Sequence, residues 1–596
     1  MKLEHFYAFF CLIFHDLLVS AKLLSKRALD PPVNNNLFDS FTALAETPGN
    51  VIRNYTFELR KVSLAPDNFT RQVWSVNGQW VSSRPSHIKA YRILTVFFTI
   101  LKRYPGPMIR ANRGDTLNIT VINLLGDPSS IHFHGLEQRN TNWYDGVPGV
   151  TQCPIPNGVN FSYIVNLTQS GTFWYHSHFA SQYVDGLKGP IVIHDPNDPH
   201  KNKSDFEYVM TISDWYHTPT GDPSMLPRFR NENYFGFDPL PDSAEISGVG
   251  QYNCTIPTCN PNRFATYKVQ RGKRYRFRII NMSAMTHFWL SIDQHPLTII
   301  EVEGTPINPV AINWLPINIA QRYSAIVVAN QSVGNYWIRA VISNCSLPVN
   351  NLTINYNTPL FANGQITGIL RYDGAPATNP TSVAYPQNSS DCYDLDPTTL
   401  KPSTPPNPAV PQTTNITQIY MEISIKFPFV GRNRILVEAA INNSSFFPST
   451  SYPSYRKVVD GSNFSSYDNA YSYNTWNEPI EIFLNNTENR THPFHLHGHT
   501  FWVVALGEAG SYNKPLSSLK YNYDNPILRD TLTVKELGLA AIRYYANNPG
   551  IWFIHCHIEW HVEMGMVAQM VELPDAYRNL TVPDNVNALC GSFDSR

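Results

Sequence analysis

Short apolar runs alternate with polar turns along most of this chain. Stretches rich in Val, Ile, Thr, Tyr and Phe, such as Asp115-Thr116-Leu117-Asn118-Ile119-Thr120-Val121-Ile122-Asn123, are separated by Asn, Gly, Pro and Asp. Helix signals are sparse. The pattern predicts a series of β-sandwiches, and 46 prolines suit a loop-rich β architecture. At 596 residues the chain exceeds one hydrophobic core, so several domains are expected. The N-terminus departs from the pattern. An apolar run from Phe6 to Phe14, followed by Leu17-Leu18-Val19-Ser20-Ala21, reads as a signal peptide over 1–21, although His15 and Asp16 interrupt it. No later stretch approaches the ~20 apolar residues of a spanning helix. Asp594-Ser595-Arg596 offers no C-terminal anchor. The expected location is extracellular, with association with the cell wall left open.

A second pattern lies on top of the strands. Four motifs carry it: Ile131-His132-Phe133-His134-Gly135, Tyr175-His176-Ser177-His178, His492-Pro493-Phe494-His495-Leu496-His497-Gly498-His499, and His555-Cys556-His557-Ile558-Glu559-Trp560-His561. Alternate side chains of a strand share a face. His132 with His134, His176 with His178, His495 with His497, and His555 with His557 are therefore expected to form two-pronged imidazole forks. Two forks lie early in the chain and two late, which predicts a multinuclear metal site closed between distant segments. A single His-x-His pair is ordinarily a surface or core feature; four among 19 histidines are not.

Cys556 lies between two fork histidines, so its sulfur is expected on the opposite strand face. His561 follows and then Met566. Two histidines, one thiolate and a weak axial methionine make a blue-copper site, with His492 as the second histidine. The peptide around Cys556 then links two metal centres and gives electrons a path between them. Zinc is the alternative metal, but zinc sites close with four ligands, and this set has too many imidazoles and too few thiols for structural zinc.

In this order and at these separations the motifs resemble those of the multicopper oxidase family, specifically its three-domain fungal laccases and ferroxidases. Trp143-Tyr144-Asp145-Gly146, Thr151-Gln152-Cys153-Pro154-Ile155, Ser213-Asp214-Trp215-Tyr216-His217 and Ala320-Gln321-Arg322-Tyr323 extend the resemblance over nearly the whole chain. It implies an all-β chain of three cupredoxin-like Greek-key β-sandwich domains holding four copper ions. By the same resemblance His492, Cys556 and His561, with axial Met566, hold the mononuclear blue copper. His132 and His495 hold the lone copper of a trinuclear cluster. His134, His176 and His557 hold one ion of its coupled pair, and His178, His497 and His555 the other. Many fungal relatives carry Leu or Phe where this chain has Met566, so a lower potential than theirs is expected.

The family chemistry passes electrons one at a time from a reductant to dioxygen. Protons are consumed, and Glu559 and Asp145 are the family-matched relays, charge balance for the cluster being their other reading. The reductant is expected to be a phenolic or aromatic small molecule, with Fe(II) as the alternative. Asp242 resembles the acid that accepts a phenolic proton in basidiomycete laccases; the ascomycete position holds Met285. Asp238 and Glu488 fall where yeast-type ferroxidases place two acids, though those enzymes carry a membrane helix. Each acid alone also reads as an ordinary loop carboxylate. A copper-binding cell-wall protein without turnover is a third reading, against which the complete ligand set argues.

The first domain is expected over 46–196, the second over 197–373, a Pro/Thr/Asn-rich linker over 374–414 and the third domain over 415–596. Residues 81–104 interrupt a join that relatives make almost directly, and they contain the apolar run Leu94-Thr95-Val96-Phe97-Phe98-Thr99-Ile100-Leu101. We read this insert as a retained intron, because valine codons begin with the donor dinucleotide and Phe/Leu-rich text suits a pyrimidine tract. A family-specific loop is the alternative, and a peptide from 81–104 in the mature protein would establish it.

Net charge is −1 with no basic tract, so no nucleic-acid partner is expected, and the chain is expected to be a monomer. Of eight cysteines, Cys11 leaves with the signal and Cys556 binds metal, which leaves an even number for disulfides in an oxidising compartment. The family resemblance implies Cys153–Cys590 and Cys345–Cys392, leaving Cys254 to Cys259. Numerous Asn-x-Ser/Thr sequons, including Asn54, Asn68, Asn388 and Asn463, predict glycosylation; Asn118, within a strand pattern, is expected to stay unmodified.

Overall fold

The structure is a computed structural model and describes residues 37–42, 51–78, 102–221, 238–252, 263–343, 364–387, 391–406, 408–412, 415–426 and 437–594. The signal peptide, the apolar run of the insert, Cys254, Cys259, Cys345 and Asn388 lie outside the described residues.

Strands dominate, as the alternation predicts. In Thr116–Asn123 every second residue is buried, from Leu117 through Ile119 and Val121 to Asn123. The strands form six sheets, two from each of three successive stretches of chain. Residues 52–194 give sheets of five and four strands, 206–372 give seven and five, and 417–572 give six and five.

One topological device recurs in all three stretches. The opening strand runs parallel to a later strand of its own sheet: Ile52–Leu64 beside Thr116–Asn123, Phe206–Trp215 beside Arg274–Asn281, and Thr417–Lys426 beside Glu478–Asn486. The closing strand takes a parallel partner in the other sheet: Lys188–His194 beside Ile109–Asn112, Gln365–Tyr372 beside Ala265–Val269, and Val567–Glu572 beside Ala470–Tyr473. Parallel neighbours cannot be joined by a tight turn. The chain must cross between the two sheets of each pair, which produces the Greek-key sandwich.

Lys102–Arg103 pairs with Arg71–Gly78, and Tyr104 packs on Trp215 with ring centres 4.8 Å apart. These three positions of the anomalous insert are thus part of the sheet and its packing.

The first and third stretches share a core. Phe161, Tyr163 and Ile155 belong to the same buried cluster as Phe446, Tyr455, Ile551, Phe553 and Leu589. The Cys153–Cys590 disulfide pins this seam across 437 residues of sequence. Cys392 is also disulfide-bonded.

Four histidine-bearing strands face this seam: β1 (His132–His134), β2 (Gly171–His176), β3 (His492–Leu496) and β4 (Gly550–Cys556). A short helix, α1 (Glu559–Glu563), follows β4. In the antiparallel pairs His132 lies opposite His176, Phe494 opposite Cys556, and His495 opposite His555.

Candidate metal centre

Strand parity sorts the donors into two groups. On β3, His492 and Phe494 share a face and His495 lies on the other; on β4, Cys556 faces opposite to His555. Because Phe494 is paired with Cys556 and His495 with His555, His492 and Cys556 emerge on one side and His495 and His555 on the other. Three forks differ from the expected all-strand geometry. β2, β3 and β4 end at His176, Leu496 and Cys556, so His178, His497 and His557 lie just past a strand. Their direction survives because the backbone stays bonded to its neighbours: His497 N donates to Phe553 O at 2.8 Å and His557 N to Pro493 O at 2.6 Å.

Eight imidazoles meet between the first and third sheet pairs. His132 stacks on His497 with ring centres 4.0 Å apart, and His134 stacks on His495 at 3.8 Å. Donor atoms within 4.8 Å of one another form the groups His132–His495–His497, His132–His134–His176 and His178–His497–His555. His557 falls outside these groups; its ring lies 5.0 Å from His134 and 5.5 Å from His176.

For six of the eight rings, hydrogen bonds fix which nitrogen is engaged. Nδ1 of His132 donates to Asp145 O, of His176 to Ser177 O, of His495 to Asp530 O and of His555 to Cys556 O, at 2.7–2.9 Å. His497 Nδ1 donates to Asp145 Oδ2 at 2.8 Å. A donated Nδ1–H leaves the Nε2 lone pair free. His497 Nε2 and His555 Nε2 face each other at 3.1 Å. His134 is reversed, with Nε2 3.3 Å from Asp530 Oδ1 and Nδ1 left over.

The second group holds Cys556, His492 and His561, all fully buried. Cys556 Sγ lies 3.5 Å from Nδ1 of each imidazole, and the two Nδ1 atoms are 3.2 Å apart. Met566 is buried beside them, its N–H donating to His561 O at 2.9 Å.

The donor set fits copper. Among the described residues, Nε2 of His132, His176 and His495 and Nδ1 of His134 are buried without a hydrogen-bond partner, and each such atom costs about 1–3 kcal/mol unless something binds it. Burial, and then the charges of neighbouring rings, press His134, His176, His178, His495 and His497 well below the usual histidine range. The rings are therefore neutral donors. Burial pushes the Cys556 thiol up, a penalty that a bound cation offsets by favouring the thiolate. One soft thiolate among neutral imidazoles matches copper's ligand preference.

The five expected acids separate. Asp145 braces His132 and His497. Glu559 opens α1, its N–H donating to Ala284 O at 2.9 Å, and burial followed by the Glu563 carboxylate pushes it up to about 8. Asp238 reaches the mononuclear group, with Oδ2 3.3 Å from His561 Nε2 and 2.9 Å from Arg490 Nη1. Asp242 instead accepts the His217 N–H at 2.7 Å, and Glu488 accepts the Ile425 N–H at 2.7 Å. Asp242 thus caps loop backbone, whereas Glu488 bonds the backbone of the Thr417–Lys426 strand.

Asp530 escaped the sequence reading, and Arg322 entered it only within a family motif, with no role given. Asp530 touches His134 and His495, and Arg322 grips it through both Nη atoms at 2.7 and 2.5 Å, with neither side chain exposed. An acid set between apolar and β-branched residues, in Leu528-Arg529-Asp530-Thr531-Leu532, was the available signal.

Comparison with known proteins gives one family throughout. Family profiles described as multicopper oxidase match residues 84–198, 206–375 and 436–576. A laccase of Trametes maxima is 36% identical over 89% of this chain and 96% of its own length, and one of Trametes hirsuta 37% identical over 82% and 89%. Among solved structures, the laccase of Botrytis aclada superposes with a TM-score of 0.77 at 32% identity, covering 92% of this chain and 93% of that one. Fet3p, described as a multicopper oxidase that functions in iron import, gives 0.74 at 26% identity, covering 91% and 95%. The all-β sandwiches are thus of the cupredoxin type found in laccases.

Proposed function

The chain belongs to the multicopper oxidase family, and from that premise we propose a secreted, glycosylated, laccase-like oxidase of three domains (46–196, 197–373 and 415–596) that oxidises phenols and reduces dioxygen to water. The observation that carries this reading is the pair of donor groups on opposite faces of β3 and β4. His492, Cys556, His561 and Met566 would hold the mononuclear copper. His132 and His495 would hold the lone copper of the cluster, with His134, His176 and His557 on one partner ion and His178, His497 and His555 on the other. When bound, copper supplies one-electron redox chemistry, accepting four electrons singly and releasing them together to dioxygen.

The protein's own groups do the rest. From Cys556 the backbone leads directly to His555 and His557, a covalent electron path. Although burial opposes it, His561 and Arg490 hold the Asp238 carboxyl below the usual range; it remains an acceptor for a phenolic proton beside His561. Glu559 moves protons on the cluster side, since an acid near neutral range can both give and take them. Glu559→Gln is expected to slow reoxidation by dioxygen at least about tenfold while the blue absorption stays. Stopped-flow reoxidation reads this, and an unchanged rate discards the relay role.

Met566→Leu is expected to raise the blue-copper potential. A thioether contact that favours the oxidised site by about 1.4 kcal/mol corresponds to ~60 mV for one electron. Redox titration of the blue band checks the sign.

Iron oxidation is the competing reading, and Asp238 suits either substrate. Glu488 holds the Ile425 N–H through one carboxylate oxygen, as Asp242 holds that of His217, and it is the greater identity to laccases that favours the phenol. Oxygen uptake on copper-loaded protein, once with a phenol and once with Fe(II), tests the choice. Uptake with the phenol is expected; uptake with Fe(II) alone reassigns the substrate, and uptake with neither overturns the oxidase.

A further inference from the structure

A chain of buried ion pairs runs from the segment joining the second and third sheet pairs to the histidine cluster. Asp394 lies in that segment and its carboxylate is saturated. Oδ1 accepts from Gln321 Nε2 at 2.7 Å and Thr533 Oγ1 at 2.6 Å; Oδ2 accepts from Thr533 N at 3.0 Å and Arg529 Nη1 at 3.2 Å. Arg529 turns its Nη2 to Glu303 Oε1 at 2.7 Å. The other Glu303 oxygen accepts the N–H groups of Asp530 and Thr531 at 2.8 and 3.0 Å. Asp530 then meets Arg322, His134 and His495. The side chains of Asp394, Arg529, Glu303, Asp530 and Arg322 are at most 1% exposed. Thr533 adds a second link, because Thr531–Val534 pairs with β3, placing Thr533 opposite Pro493 and Thr531 opposite His495.

We propose that Asp394 is a positioning residue for the copper site formed by His132 and His495, acting through Arg529, Glu303 and Asp530. The proposal rests on the ligand assignment given above. Asp394 contributes no donor to the metal. Its carboxylate holds Arg529 midway between two acids, so that Glu303 stays directed at the backbone that presents Asp530 and Thr531. Without that charge, Arg529 has Glu303 as its remaining acidic partner, and the grip on the His495 strand and on the stacked His134–His495 pair relaxes. Arg529 keeps Glu303 as its charge partner, so the loss is one of hydrogen-bond geometry rather than of charge balance, and it reaches the ligands through Asp530, an outer partner of His134 and His495 of the kind worth about 10–100-fold in metal affinity.

The test uses the full copper-loaded protein with Asp394→Asn, and Thr533→Val as a milder variant that deletes one hydrogen bond to Asp394. Electron paramagnetic resonance separates the lone cluster copper from the blue copper. Asp394→Asn is expected to shift the hyperfine splitting of the cluster signal, weaken its copper affinity by at most about the tenfold at the low end of a direct outer partner and leave the blue signal unchanged. Thr533→Val should move the same signal less. A merely structural role would lower thermal stability and leave the cluster signal in place, and that result overturns the proposal. If Asp394→Asn does not accumulate, an unshifted cluster signal in Thr533→Val overturns it equally. His495→Ala in parallel separates the two levels: if that variant keeps the cluster signal the ligand assignment fails, whereas loss there with no shift in Asp394→Asn defeats only the positioning role.

Discussion

Cys556→Ser is expected to abolish the intense absorption near the red end of the visible spectrum and to reduce turnover with every reductant to background. Cys556 is the one free cysteine among the described residues, and its sulfur is 3.5 Å from both imidazole donors. A serine hydroxyl is a harder donor and stays protonated in a site that already pushes a thiol up by burial. Colour and the electron path from Sγ into the His555–His557 backbone are lost together. The histidine cluster lies on the other face of β3 and β4, so its copper should remain. Metal analysis beside the visible spectrum checks both halves. A blue serine variant, or one stripped of all its copper, contradicts the division into two sites.

Arg322→Leu is expected to be the most destabilising single change near the cluster. Arg322 and Asp530 have no exposed side-chain surface. Removing the guanidinium leaves a buried carboxylate without its partner, a loss of about 3–5 kcal/mol. Two further bonds go with it, from Arg322 Nε to Thr172 O at 3.0 Å and from Nη1 to Ala320 O at 3.2 Å. The damage reaches the metal because Asp530 touches both members of the stacked His134–His495 pair. Chemical unfolding and copper affinity should fall in step. Lysine should not rescue, since an ammonium cannot reproduce the two-pronged contact; a stable Arg322→Leu protein with full copper would remove Asp530 from any role in holding the site.

Much of the centre is legible in the sequence because histidine spacing and strand period coincide. His495 and His497 against His492, and His555 and His557 against Cys556, already imply two faces and two sites. Period, however, says nothing of which strands meet. The stacking of His132 on His497 and His134 on His495 needs the seam between the first and third sheet pairs. The threefold topology comes from the family resemblance and not from the strand pattern, for a similar reason: parallel partners such as Phe206–Trp215 and Arg274–Asn281 are far apart in sequence and share no motif. Asp530 and Arg322 are 208 residues apart, and a buried acid at the join of two short strands looks like an ordinary turn residue until its guanidinium is found. Glu488, expected from its match to the ferroxidase position, shows a further limit of sequence, which does not reveal that one of its carboxylate oxygens holds the Ile425 N–H.

The staple between Cys153 and Cys590 constrains the order of biosynthesis. The amino-terminal sandwich shares its interior with Tyr577, Val586 and Leu589, which are synthesised long after it. Until they arrive that interior is incomplete, and until His495 and His497 arrive its imidazoles face no opposite bank. The cluster therefore closes only after the third sandwich has been made, and a nascent polypeptide halted before His495 would lack half of its imidazoles.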